Sequence, residues 1–86
     1  MTILEKTQSK INSLVGTLGE CSERDAAYIL KIAAIADRDG IAKIAAEHDA
    51  TWKKVDEAKR FNEDETLLQR KMDCLEFVII ANEEMQ

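Results

Sequence analysis

Residues 26–36, Ala26-Ala27-Tyr28-Ile29-Leu30-Lys31-Ile32-Ala33-Ala34-Ile35-Ala36, carry a single charge, on Lys31. Ile29, Leu30, Ile32 and Ile35 fall on more than one side of a helical wheel, which is the pattern of a helix surrounded by others rather than one lying on a surface. The alanines between them let neighbouring backbones approach closely. Ser22 precedes the segment as a candidate N-cap, with the acidic Asp25 three positions on, so a helix over Glu23 to Arg38 is predicted at the centre of the fold.

Working outward, the amino-terminal flank opens with Thr2 and Glu5, a T-x-x-E capping box whose side chains satisfy two otherwise unpaired backbone N–H groups. Leu4, Ile11, Leu14, Val15 and Leu18 then recur at helical spacing, which predicts a first helix from Ile3 to Leu18 ended by Gly19. On the other flank, Asp37-Arg38-Asp39-Gly40 is a turn signal in which Gly40 supplies a positive φ and Asp39 caps the next helix. A calcium loop built on Gly40 is excluded, because its first and last ligand positions fall on Ile35 and Ala46.

A third helix is predicted from Ile41 to Arg60 or Phe61, with Ile41, Ile44, Ala45, His48, Trp52, Val55 and Ala58 on one broad face. Asn62 and Glu65 make a further capping-box pattern, opening a fourth helix from Glu63 to Glu83; without that cap, helices three and four fuse into one rod. The last helix carries Leu67, Leu68, Met72, Leu75, Val78, Ile79 and Ala81 on two apolar faces. The expected fold is therefore all-α, a single domain over residues 1–86, with three or four antiparallel helices. Two wide apolar faces on one terminal helix are more than a small chain is expected to cover, so an oligomer is expected, with Leu68, Met72, Leu75, Val78 and Ile79 as its interface.

The chain has 86 residues, no proline and three glycines, so helix breakers are scarce. Its net charge is −5, with seven acidic against two basic residues in 62–86, which disfavours phosphate backbones and anionic lipids as partners. No apolar run reaches the ~18 residues of a membrane span, and no signal-peptide core is present at the amino terminus, so a cytoplasmic protein is expected. Cys21 and Cys74 lack metal or redox spacing and are expected to be free thiols. His48 has only Ile44, Ala45, Thr51 and Trp52 at converging helical positions, so neither a metal site nor general-base chemistry is expected of it. With no glycine-rich phosphate loop either, the expectation is no enzyme, no cofactor and no metal.

Two binding readings remain for the third helix, besides a small ligand held between helices. One is docking on a protein partner through Trp52, Lys53, Lys54 and Arg60, although a lone Trp in a small helical protein is ordinarily a core anchor. The alternative is a helix-turn-helix over Ile44 to Arg60, with a turn at Asp49-Ala50-Thr51, Thr51 as the cap of the reading helix and Trp52, Lys53, Lys54, Lys59 and Arg60 outward. In this respect Ala26 to Leu75 resembles HigA-like antitoxin and phage-repressor domains, which implies DNA binding. Against a turn there, Asp49 to Lys53 and Asp56 to Arg60 are acid-before-base pairs at i to i+4, which favour one uninterrupted helix. The favoured reading is a regulatory or adaptor-type docking protein, such as a chaperone, an immunity protein or a mobile-element inhibitor.

Overall fold

The computed structural model describes residues 2–15 and 23–84; Cys21, the Gly19 and Ser22 caps and the predicted end at Leu18 lie outside them. Four helices run in order: α1 Ile3–Val15, α2 Glu23–Asp39, α3 Ile41–Arg60 and α4 Thr66–Glu84. Among the described residues every secondary-structure element is helical, including Val78-Ile79-Ile80 within α4.

The Thr2–Glu5 box forms: the Glu5 N–H donates to Thr2 Oγ1 at 3.1 Å and the Thr2 N–H to Glu5 Oε1 at 3.3 Å. A second device, invisible in the local sequence, completes this end. The Asp37 carboxylate, from the last turn of α2, accepts the N–H of Ile3 at 2.8 Å and of Leu4 at 2.9 Å. Two charge-assisted hydrogen bonds on orphan amides, placed at the positive end of a helix dipole, stabilise α1 and fix it against α2 at once. Asp37→Ala is expected to lower stability by about 1–2 kcal/mol, read as a lower urea midpoint with α1 losing most protection from hydrogen exchange.

Gly40 alone joins α2 to α3, at φ 97° and ψ 148°. Its backbone N–H closes α2 on the Ala36 carbonyl at 2.8 Å, while its own carbonyl accepts the Lys43 N–H at 3.2 Å. The expected Asp39 cap is absent: no side chain caps α3, and Asp39 instead binds Arg38 at 2.9 Å and Lys43 at 3.1 Å. Cations on both sides hold the carboxylate better than one amide would. Those bonds, Arg38's first and Lys43's next, lower the Asp39 pKa from 3.8 to about 2.

Between α3 and α4 the chain turns differently from the expected Asn62 N-cap. Asn62 has φ 54° and sits just past the end of α3, where its N–H reaches the Lys59 carbonyl at 3.4 Å and the Glu63 N–H the Ala58 carbonyl at 2.8 Å. This is a Schellman C-cap with asparagine in the left-handed position that glycine more often fills. α4 is capped instead by Asp64, which accepts the Thr66 N–H at 3.0 Å and hydroxyl at 2.7 Å. Those bonds, the hydroxyl's first, lower the Asp64 pKa. The two helices therefore do not fuse.

Both depressed carboxylates act in one direction. The contribution of Asp39 is complete above about pH 4 and is lost as the pH falls toward 2, where the native state must take up a proton, and that of Asp64 is lost on acidification in the same sense. A melting temperature flat from neutral pH to about 4.5 and declining below it is expected. Asp39→Asn should make that acid decline shallower.

The core holds Ile11 from α1, Ile29, Ile32, Ala33 and Ala36 from α2, Ile44 from α3 and Cys74, Leu75 and Val78 from α4. The centre predicted for α2 is shared: α2 and α4 each pack against all three other helices, while α1 and α3 do not meet among the described residues. The chain itself therefore covers Leu75, Val78 and Ala81 of α4 fully and Leu68, Met72 and Ile79 in part, and leaves Leu67 in water. Lys10 draws the ends of α1 and α4 together, pairing with Glu84 at 2.7 Å and lying 5.5 Å from the centre of the Phe77 ring. Thr7, fully buried and outside the predicted stripe, donates its hydroxyl to the Ile3 carbonyl at 2.8 Å.

Candidate docking surface

α3 runs without interruption from Ile41 to Arg60, which removes the turn a helix-turn-helix needs at Asp49 to Thr51. Thr51 is not a cap. It is buried in the middle of the helix, with its hydroxyl on the Glu47 carbonyl at 2.7 Å. The two ion pairs across the supposed turn region form, Lys53 with Asp49 at 3.5 Å and Arg60 with Asp56 at 3.4 Å. They reinforce the helix and occupy two of the four cations assigned to reading DNA.

The buried stripe of α3 is narrower than predicted and is rotated toward Thr51. Ile44, Thr51, Val55 and Ala58 are buried and His48 half-buried, at alternating spacings of four and three. Ala45 and Trp52, one residue after Ile44 and Thr51, sit about 100° further round the helix and face water. Trp52 is 53% exposed and is not the core anchor a lone tryptophan usually is. Trp52→Ala should therefore cost well under the ~3–5 kcal/mol of a core tryptophan, no more than about 1 kcal/mol in a urea titration. Buried His48 Nε2 has no hydrogen-bond partner among the described residues.

The four predicted docking residues do not converge. Lys53 and Arg60 lie on the outward face beside their own acidic partners, whereas Lys54, two residues from Trp52, points about 200° round from it and lines the seam with α4. Nor is the predicted oligomer strip a surface: Leu75 and Val78 are core residues at 1% and 0% exposure, and Leu68, Met72 and Ile79 are half-buried.

What the structure does hold in water is the corner where α3 gives way to α4. Phe61 at the α3 C-cap is 68% exposed and Leu67 in the first turn of α4 is 77% exposed. Each borders an open hollow. Phe61, Ala58 and Leu68 bound one of about 510 Å³, with Lys54, Glu57 and Glu63 at its rim. Leu67, Tyr28 and Cys74 bound another of about 220 Å³, rimmed by Asp25, Arg70 and Lys71. Leu67 and Leu68 are adjacent in sequence, so the hollows flank the same turn of α4, about 100° apart.

The corner is tied to the rest of the bundle by an ion pair. Arg70 pairs with Asp25 at 2.8 Å, tying the start of α4 to the start of α2. Burial, then the neighbouring Cys74 and Glu47, raise the Tyr28 pKa, so the phenol stays a neutral wall beside the buried Cys74 thiol. The turn itself is acidic: Glu63, Asp64 and Glu65 line a shallow depression with Lys59, Asn62 and Thr66, and Glu63 belongs also to the Phe61 hollow. Among the described residues no cluster of side chains could hold a metal ion, and no helix is long and apolar enough to cross a membrane.

Sequence reasoning missed this corner because it assigned Phe61 to a helix end and Leu67 to an apolar stripe. The available signal was Phe61-Asn62, an aromatic residue directly before a residue able to take positive φ, which puts the ring past the last turn of α3, beyond the neighbours that would cover it. Comparison with protein-family models, with curated proteins and with solved structures finds no match.

Proposed function

We propose that the chain is a small non-catalytic protein that works by docking on a protein partner, and that the α3–α4 corner is its docking surface. The observation that carries this reading is the exposure of Phe61 and Leu67 on either side of one capped, ion-paired turn. Removing such side chains from water is worth roughly 1.5–3 kcal/mol each when burial is complete, and a turn already fixed by its caps loses little freedom on binding. Trp52, nine residues before Phe61 on α3, lies about 180° round the helix from it and stands outside this surface.

The antiparallel order of neighbouring helices belongs to the same proposal, supported by connections of one residue at Gly40 and five at Phe61 to Glu65. Self-association through buried Leu75 and Val78 would require the bundle to open, so any self-association uses apolar side chains left in water, among them Leu4, Trp52, Phe61 and Leu67.

The test is affinity capture from the native host with wild type beside a Phe61→Ser/Leu67→Ser variant whose circular dichroism matches wild type. A protein retained by the wild type and lost by the variant is expected. Identical retention, or none by either, overturns the reading. Sedimentation velocity on the same two samples reads self-association.

A further inference from the structure

We infer that the occupant of the α3–α4 corner is a cationic amphipathic helix of the partner protein. The inference rests on the docking reading above and adds the chemistry of what docks. Its first ground is shape. The Phe61–Leu68 and Leu67–Tyr28 hollows flank the first turn of α4 about 100° apart, round a rod about 10 Å across. Apolar side chains at positions i and i+4 of an amphipathic helix are near neighbours on one face, about 6 Å apart, so a helix laid across this turn offers adjacent anchors to the two hollows.

The second ground is charge. Around the Phe61 hollow and the acidic depression sharing its Glu63, four carboxylates, Glu57, Glu63, Asp64 and Glu65, face two lysines, Lys54 and Lys59. Thr66 donates two hydrogen bonds to Asp64, which hold that carboxylate ionised. On the Leu67 side Arg70 is paired with Asp25, leaving Lys71 as the one rim cation outside that pair. An anionic helix approaching Phe61 would meet this rim and a molecule of net charge −5, whereas lysines or arginines flanking the anchor seated at Phe61 meet complementary charge.

The probe is a synthetic helix of about five turns, with leucines on one face and lysines elsewhere, titrated into the full isotope-labelled chain beside the same peptide with glutamates for lysines. Expected are amide shifts centred on residues 57–68 with the lysine peptide, weakening with salt, and affinity for the glutamate peptide at least about tenfold lower. Phe61→Ser and, separately, a Glu63→Gln/Glu65→Gln variant should each weaken the lysine peptide about tenfold while circular dichroism stays unchanged. Shifts spread over the whole acidic surface and indifferent to Phe61→Ser would overturn the inference as non-specific attraction. So would equal affinity for the two peptides, or no binding of either. In those three cases a Phe61-dependent capture from the host would still leave the docking reading standing.

Discussion

Leu75→Ala is expected to lower the stability of the fold by about 3 kcal/mol, within the roughly 2–5 kcal/mol typical of fully buried leucines. Leu75 is 1% exposed in the core cluster and lies on α4, the helix that touches all three others. A cavity there cannot be closed by moving one neighbour, because α1, α2 and α3 bear on α4 from different sides and are tied by Gly40, by the Asp25–Arg70 pair and by the Lys10–Glu84 pair. A domain of this length has only about 4–13 kcal/mol to lose. In urea, the midpoint should fall by far more than for Ile79→Ala, which truncates a half-buried neighbour on the same helix. Equal losses for the two variants would show that α4 is not the common wall of the core.

Gly40→Ala is the second large effect, with an expected loss of about 1–3 kcal/mol. A methyl group built on Gly40 meets nothing within 4 Å, so packing contributes no penalty. The cost is torsional. At φ 97° and ψ 148° an L side chain collides with its own backbone, and the single residue between α2 and α3 leaves nowhere else to absorb a change of angle. The urea midpoint should fall while the dependence on urea stays unchanged, since the surface exposed on unfolding is the same. A variant as stable as wild type would mean that the α2–α3 junction relaxes freely.

The fold class and the four helices were legible because the apolar spacing is regular and helix breakers are few. Boundaries were legible where one local signal stood alone, as at Thr2 with Glu5 and at Gly40. They were misread where two residues competed for one role. Asn62 serves either to start a helix or to end one, and only the positions of the Lys59 and Ala58 carbonyls decide that it ends α3. Asp39 was a plausible cap, but two cations outbid one amide for its carboxylate.

The candidate site was the least legible part, for a physical reason. Spacing identifies which residues share a face, not which neighbours cover it. Leu75 and Val78 looked like a surface because α1, α2 and α3 are invisible from within α4. Phe61 and Leu67 looked ordinary because the turn that strands them in water depends on the Asn62 conformation. Trp52 was misplaced by a single position, since either its stripe or that of Thr51 could have faced inward, and the hydroxyl of Thr51 could be satisfied by the Glu47 carbonyl.

The carboxylate that receives the first amides of α1 comes from a residue more than thirty positions along the chain. Bringing those positions together in an unstructured polypeptide costs roughly 3 kcal/mol of loop entropy, which these two bonds and the packing of α1 on α2 must offset. Fastening of α1 therefore waits on the last turn of α2, which supplies both acceptor oxygens.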